Sequence, residues 1–278
     1  MVRWLFALTL LLSPFATAAV QAGAWQLERS DVLTVTASDG HAYRVMAAWP
    51  EGEPPAAGWP VLWVLDGEDN FALVAMTARR LARAGARSDV MDGIVIGIDS
   101  GPLARRVLDY TPATPGQAIP PGAPAHGLAT GGADAFLAFL DARVRPAIAA
   151  RWRIDPARQI LLGHSFGGLL ALHALFSGKW QGNVIAISPS LWFGDGLLER
   201  EERVFAPGPG KRLVLIATGD ERGPDSRSGA AAEMLTARLR QRGLDARYRT
   251  LPGFMHGTTM LAAMGDAVIA AFGRGRAP

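Results

Sequence analysis

The sequence predicts an α/β fold with a mostly parallel central sheet flanked by helices. Short apolar runs recur along the 278-residue chain, at residues 61–65, 94–98, 160–162, 184–187 and 213–217. Continuous runs of this kind, without polar alternation, are typical of strands that helices cover on both faces. Helix-like stretches separate the runs, which favours parallel strands joined by crossover helices.

An antiparallel hairpin is predicted at the N-terminal end of this sheet. Residues 33–36 and 43–49 have strand character and are joined through Asp39-Gly40. An Asp-Gly pair favours a tight hairpin turn because both residues tolerate positive φ angles.

Residues 1–22 have the pattern of a secretory signal peptide. A short positive start is followed by an apolar stretch and by small residues suited to cleavage. The apolar run is too short to span a bilayer, so no stable membrane insertion is expected after cleavage. The prediction is therefore an exported protein, periplasmic or secreted, with residues 23–278 as one catalytic domain.

Composition excludes several classes of function. The chain has no cysteine, which removes disulfides, cysteine nucleophiles and thiolate metal sites. Its arginines are spread along helix-like stretches without interleaved aromatic residues, so nucleic-acid binding is not expected. No His/Asp cluster has ligand spacing, and no metal or organic cofactor is predicted. A formal net charge of +3 leaves room for an anionic small-molecule substrate.

The segment Gly163-His164-Ser165-Phe166-Gly167 has the form of a nucleophile elbow. It lies between the apolar run at 160–162 and a helix-like stretch at 168–175. A serine on a sharp strand-to-helix turn projects its hydroxyl clear of the sheet, and flanking glycines relieve crowding. The helix N-terminus and the amide of Phe166 then favour negative charge on an attacked carbonyl oxygen.

Chain order selects the base for this serine. In such folds the acid and the base follow the nucleophile, and His256 lies in a loop between a strand-like and a helix-like stretch. The other histidines lie in a turn, in a loop before the serine, at the end of the nucleophile strand and on the next helix (His41, His126, His164 and His173). The last two are expected to be core histidines.

The orienting acid is expected in the turn after the run at 213–217. Glu221, Asp220 and Asp225 compete there, in that order of preference, and each could equally be a solvated turn carboxylate. The acid's task is to accept the Nδ1–H of His256 and to stabilise the imidazolium.

A long segment at 101–133 is rich in proline and glycine and is predicted to be irregular. Structureless loops of this length within a compact domain are usually functional or disordered. We expect this one to border the pocket as a mobile lid.

Several motifs together resemble the esterase D-like branch of the α/β-hydrolases, and within it the periplasmic trilactone siderophore esterases of enterobactin type. The matching segments cover nearly the whole exported chain: residues 60–67, 105–112, 131–137, 163–168, 187–193 and 253–257. The resemblance implies an α/β-hydrolase fold, with Glu221 as the acid and the N–H of Gly67 or Glu68 as the second oxyanion-hole amide. Some members of that family resemble Ser-His dyads, which leaves the acid open.

Three residues are candidates for substrate binding. Arg106, in the Arg-x-x-Asp-Tyr-Thr-Pro stretch, could contact an anionic substrate or instead pair with Asp109. Tyr110 and Trp192 could line the pocket or serve in packing.

The implied function is an exported serine esterase that cleaves a tris-catecholate trilactone siderophore, apo or ferric, through an acyl-enzyme. Any iron would arrive with the substrate. Two alternatives stay open: a carboxylesterase, deacylase or acyltransferase acting on sugar or aryl esters, and a weakly catalytic siderophore-binding protein.

Overall fold

A computed structural model describes residues 24–116, 119–123, 125–208, 212–222 and 226–274. The predicted signal peptide lies outside these residues. Within them, eight strands form one sheet in the order β1-β2-β4-β3-β5-β6-β7-β8. The strands are β1 (Ser30–Thr36), β2 (Ala42–Ala48), β3 (Trp59–Leu65), β4 (Ile94–Asp99), β5 (Ile154–His164), β6 (Asn183–Ile187), β7 (Leu213–Gly219) and β8 (Asp245–Leu251).

The sheet confirms the predicted fold class. β1 and β2 form the antiparallel hairpin, and β2 is also antiparallel to β4. From β4 across to β8 every pair of neighbours is parallel. The long apolar runs form the parallel strands, as expected for strands covered on both faces.

Helices lie on both faces of the sheet. They are α1 (Gly67–Arg83), α2 (Leu103–Tyr110), α3 (Ala133–Phe139), α4 (Arg145–Ala149), α5 (Phe166–Phe176), α6 (Leu197–Val204), α7 (Ser228–Gln241) and α8 (His256–Phe272). One core cluster packs α1 and α8 on one face, and a second packs α2, α3, α5, α6 and α7 on the other.

Alternation along the strands divides the core between these faces. In β3, Val61, Trp63 and Leu65 belong to the cluster with α5, while Leu62 and Val64 belong to the cluster with α8. The side chains of a strand point alternately to the two faces, so one apolar run supplies both cores.

The carboxyl ends of the parallel strands bring the candidate site together at one edge. β3 ends before Asp66, β5 before Ser165 and β6 before Ser188. Glu221 follows β7 and His256 follows β8. This edge is where open α/β sheets bind ligands.

Two elements differ from the sequence expectation. The segment 101–133 is not irregular throughout, because it contains the two-turn helix α2, and α3 begins at its last residue. Helix α8 begins at His256 itself, which the sequence analysis placed in a loop before a helix-like stretch. No helix in the described part of the chain has both the length and the apolar character needed to cross a membrane.

Candidate active site

Ser165 occupies a strained turn between β5 and α5. Its φ of 59° and ψ of −118° are rare for a residue with a side chain. The turn leaves no room at Gly163, where an added Cβ would lie 2.2 Å from the carbonyl oxygen of Gly167. Gly167 is less constrained, since a Cβ there would make ordinary contacts at 3.5 Å. Of the two flanking glycines, Gly163 is therefore the one that the turn requires.

His256 lies within hydrogen-bond distance of the serine. Its Nε2 is 3.0 Å from Ser165 Oγ, and its Nδ1 is 2.9 Å from Glu221 Oε2. An ionised carboxylate only accepts hydrogen bonds, so Nδ1 carries the proton and Nε2 is the acceptor for the serine hydroxyl. This is the tautomer that a general base needs.

The side chain of Glu221 is only 2% exposed, yet both of its oxygens have partners. Oε2 faces His256, and Oε1 accepts hydrogen bonds from Ser188 Oγ at 2.5 Å and from the Gly219 amide at 3.2 Å. Burying a carboxylate without such partners would be costly. These contacts fix the carboxylate beneath the imidazole.

The other candidate acids are placed differently. Asp220 Oδ2 accepts a hydrogen bond of 2.8 Å from the Gly253 amide. Its own amide donates to Phe254 O, so Asp220 fastens the loop that precedes His256. Asp225 lies outside the described residues.

His164 is closer to the site than the sequence indicated. Its Nε2 donates a 2.8 Å hydrogen bond to the His256 carbonyl, and the two rings lie 4.9 Å apart. Burial, assisted by nearby His256, lowers the pKa of His164 to about 4. His164 is therefore neutral near pH 7 and holds the backbone of the base.

Two serines after β6 also belong to the site and were missed by the sequence analysis. Ser188 has a positive φ of 41° and donates to Glu221. Ser190 Oγ lies 3.5 Å from Ser165 Oγ, and the Ser190 amide donates to Ser165 O at 3.2 Å. The signal was the Ser188-Pro189-Ser190 run at a strand end, where a polar cluster follows a buried strand.

The candidate oxyanion amides lie at the first turns of α1 and α5, two helices that follow the neighbouring strands β3 and β5. Phe166 opens α5, while Gly67 and Glu68 open α1. The first amides of a helix have no acceptor within it. The two helix starts are close, since an added Cβ on Gly167 would lie 3.6 Å from Asp66 Oδ2.

Arg106 does not pair with Asp109. Its Nε and one terminal nitrogen bind the two carboxylate oxygens of Asp66 at 2.5 and 2.8 Å. Asp109 instead pairs with Arg105 at 2.9 Å, four residues earlier on α2. The alternative of an Arg106–Asp109 pair is therefore wrong, because Asp66 binds the Arg106 guanidinium and Arg105 binds Asp109.

Tyr110 is not a pocket residue. Its side chain is 0% exposed, and its hydroxyl oxygen accepts a 3.0 Å hydrogen bond from the Asp66 amide. A side chain without accessible surface cannot contact a substrate. The expectation that Tyr110 binds substrate is therefore wrong, and its contact is with the turn before α1.

Trp192 lines a cavity beside the elbow. Its ring meets the ring of Phe166 edge-on, with centroids 5.9 Å apart. The cavity has a volume of about 410 Å³ and lies between α6 and α7. Its lining is mixed: Leu191, Trp192, Leu198 and Leu235 are apolar, and Glu199, Arg227 and Arg238 are charged.

The remaining histidines contact other parts of the molecule. Their hydrogen-bond partners include Ser100 O for His41, Ile119 O for His126, and Asp134 and Glu201 for His173. Only 5% of His173 is exposed, as expected for a core histidine. In the described ranges no group of three or more His, Asp or Glu side chains is arranged as a metal site.

Comparison with known families gives one match over most of the chain. The model of the family described as "Putative esterase" matches residues 36–257. Its range includes the elbow, the turn with Glu221 and His256.

Three curated relatives are siderophore esterases by name. The siderophore triacetylfusarinine C esterase of Aspergillus fumigatus is 35% identical over 64% of this chain, and the match spans 62% of that relative's length. The apo-salmochelin esterase of Escherichia coli is 27% identical over 82% of this chain and 74% of its own. The ferri-bacillibactin esterase BesA of Bacillus subtilis is 27% identical over 79% and 81%.

Solved structures share the fold. The BES protein of Bacillus cereus superposes with a TM-score of 0.82 at 24% identity, covering 91% of this chain and 99% of its own. The siderophore hydrolase EstB of Aspergillus nidulans gives a TM-score of 0.72 at 26% identity, covering 93% and 99%.

Proposed function

The chain belongs to the esterase family whose model spans residues 36–257, and on this premise we propose that it is an exported serine esterase of siderophore trilactones. The observation that carries the proposal is the unbroken set of hydrogen bonds from Glu221 through His256 to Ser165 on the elbow. This geometry suits an alcohol nucleophile activated by a base.

In the acylation step Ser165 Oγ attacks the ester carbonyl carbon while its proton moves to His256 Nε2. Glu221 stabilises the imidazolium that forms. The tetrahedral intermediate then collapses with cleavage of the bond to the alcohol, and His256 returns the proton to the departing alkoxide. Ser165 is left as an acyl ester.

Negative charge on the carbonyl oxygen is held by the Phe166 amide together with that of Gly67 or Glu68. These N–H donors stabilise the oxyanion most strongly when the protein holds them in position before the reaction begins. In deacylation a water molecule gives its proton to His256 and attacks the acyl carbon, and Ser165 regains its proton as it leaves.

Siderophore esters are the substrate class that the relatives favour. The curated relatives described above are named for triacetylfusarinine C, apo-salmochelin and ferri-bacillibactin. We propose a tris-catecholate trilactone, apo or ferric, whose iron would be cargo of the substrate.

The cavity beside Trp192 supports an aromatic arm on the substrate. Its apolar wall suits a flat ring, and Arg227 at the same cavity suits acidic hydroxyl groups. Leu191 and Trp192 follow directly after Ser190, which touches the nucleophile. We assign Trp192 as the wall against which one arm packs.

Export to the periplasm or the medium is part of the proposal. It depends on the signal-peptide pattern of residues 1–22, and the absence of cysteine is compatible with an oxidising compartment. Detecting the N-terminus of the secreted protein by mass spectrometry would check it.

The test is product analysis by mass spectrometry with three substrates: an enterobactin-type trilactone, an acetylated sugar and a short aryl ester. The trilactone should be opened, and Ser165→Ala should lose turnover by several orders of magnitude, on the order of 10⁶-fold. Hydrolysis of the sugar or aryl ester without any trilactone cleavage would contradict the siderophore assignment and would indicate an esterase of another substrate class.

A binding protein without catalysis would give another result. Rapid mixing with a chromogenic aryl ester should release a burst of leaving group equal to the enzyme concentration if an acyl-enzyme forms and breaks down slowly. Tight siderophore binding with neither burst nor turnover would overturn the esterase proposal.

A further inference from the structure

Helix α2 reaches both backbone segments that carry the candidate oxyanion amides. Arg106 binds the Asp66 carboxylate through two nitrogens and also donates to the His164 carbonyl at 3.3 Å. Asp66 immediately precedes Gly67, and His164 immediately precedes Ser165. One guanidinium therefore connects the turn after β3 to the elbow after β5.

We propose that Arg106 and Tyr110 are positioning residues that hold the turn after β3 in the conformation that aims its amides at the reacting carbonyl. The inference deepens the proposed esterase function and rests on it. It assigns the Arg-x-x-Asp-Tyr stretch a part in the rate of the reaction instead of in substrate recognition.

The backbone of Asp66 needs such support. Its φ of 55° and ψ of 52° are left-handed, a conformation that residues with a side chain adopt rarely. The Tyr110 hydroxyl accepts a hydrogen bond from the Asp66 amide, and Arg106 binds the Asp66 carboxylate. Two residues of α2 therefore hold both the backbone and the side chain of Asp66. Strained residues persist only when their surroundings determine them.

The opposite side of the turn is fixed by close packing. A Cβ on Gly67 would lie 2.8 Å from the Ile98 amide nitrogen and 2.9 Å from the Gly97 carbonyl carbon of β4. The turn therefore lies between β4 and α2. It packs closely against the backbone of β4, and polar side chains of α2 bind it from the other side.

Arg106 is also held in place. Its guanidinium lies over the rings of Tyr110 and Phe166, at 5.2 and 6.0 Å from their centroids. Burial alone would lower the pKa of Arg106, but the hydrogen bonds and charge of Asp66 outweigh it and raise the pKa. Because the Arg106 guanidinium is already bound to Asp66 and to the His164 carbonyl, it is suited to hold the protein's own backbone.

The experiment compares Arg106→Ala, Arg106→Lys and Tyr110→Phe on a small neutral aryl ester and on a trilactone siderophore. Displacing a catalytic group by about 1 Å can cost about 100-fold in rate. We expect kcat to fall by about 10- to 100-fold on both substrates for Arg106→Ala and Tyr110→Phe, with KM little changed. Lysine keeps the charge but loses the two-pronged contact, so Arg106→Lys should recover only part of the loss.

Arg105→Gln is the matched control on the same helix. Arg105 pairs with Asp39 and Asp109, away from the turn. This variant should lower the unfolding midpoint while kcat stays at the wild-type value. A folded control with an equal loss of kcat would show that any damage to α2 slows the reaction and would overturn the proposal.

A second measurement separates positioning from folding. A trifluoromethyl ketone forms a tetrahedral oxyanion on the serine, so its affinity should fall together with kcat in Tyr110→Phe. If Arg106→Ala raised KM for the trilactone alone and left kcat intact, Arg106 would bind substrate and the positioning role would be wrong. Full turnover by Ser165→Ala would instead defeat the esterase proposal itself.

Discussion

Glu221 is the candidate acid that contacts His256, and its replacement should lower the rate of hydrolysis. In Glu221→Gln the amide can turn its NH2 group towards Nδ1, which favours the wrong imidazole tautomer. We expect kcat/KM for an aryl ester to fall by about 10²- to 10⁴-fold. The measurement is steady-state hydrolysis by protein whose unfolding midpoint is unchanged.

Asp220→Asn is the matched control for this substitution. The Asn side chain retains an oxygen that can accept the Gly253 amide, so the loop before His256 should keep its place. For Asp220→Asn the loss of kcat/KM should be several-fold at most. Equal and small losses in the two variants would indicate a Ser-His dyad.

The sequence singled out Ser165 and His256 as the candidate nucleophile and base from local pattern and chain order, but it could not separate neighbouring carboxylates. Glu221 and Asp220 differ by one residue in a turn, and which of them points inwards depends on Ser188 and Gly253, both distant in the chain. The same limit applied to Arg106. Its partner Asp66 lies 40 residues away in sequence, and no helical spacing reveals such a pair.

Helix α6 forms part of the wall of the cavity beside Trp192. Contacts between ionisable side chains hold it against the neighbouring helices. His173 on α5 donates to Glu201 of α6 at 2.8 Å and to Asp134 of α3 at 2.9 Å. Both ring nitrogens face carboxylate oxygens, so the charged imidazolium suits the site. The neighbouring residue of α6, buried Glu202, binds Arg238 of α7 and Arg242, which directly follows α7.

The attachment through His173 predicts a pH-dependent stability. Burial alone would lower the pKa of His173, but Glu201 and Asp134 outweigh it and raise the pKa above its usual value of 6.5. A raised pKa contributes stability that is complete below about pH 6.5 and is lost as the pH rises through the folded-state pKa. His173→Gln should therefore cost about 1–2 kcal/mol at pH 6 and less at pH 9.

Urea unfolding of the wild type and of His173→Gln across this pH range would measure the difference. A gap in unfolding free energy that stayed constant from pH 6 to pH 9 would mean that His173 acts through packing alone. Lys179 also contacts Asp134, at 3.2 Å, but its charge is common to both proteins and cancels in the comparison.

The parallel strands were predictable where helix α2 was not, for a physical reason. A strand buried on both faces needs a continuous apolar run, and each run in this chain became a parallel strand. Helix α2 carries charged residues and lies between glycine- and proline-rich stretches, so its sequence resembles a loop. It is helical because Val107 and Tyr110 are buried against the sheet cluster, a tertiary contact that local pattern does not encode.

Across the whole molecule, one sheet joins two cores. The described tryptophans other than Trp25 lie in or against the cluster with α5, whereas Phe272 lies in the cluster with α1 and α8. Strands β2 to β8 each contribute side chains to both clusters, so loss of packing on one face should weaken the other. The domain is therefore expected to unfold as one cooperative unit.

Phe272→Ala tests this coupling from the end of α8. The ring of Phe272 is 0% exposed and fills the space against Gly93, where an added Cβ would lie 2.3 Å from its Cε1. Removing a buried aromatic ring should cost about 3–5 kcal/mol. Because the sheet is shared, tryptophan fluorescence from the opposite face and far-UV circular dichroism should shift to lower urea together, with coincident midpoints.

The turnover of Phe272→Ala in the absence of urea should stay near the wild-type value, since Phe272 is at the far end of α8 from His256. If fluorescence kept the wild-type midpoint while circular dichroism lost part of its signal earlier, the two faces would unfold separately and the single-unit description would fail.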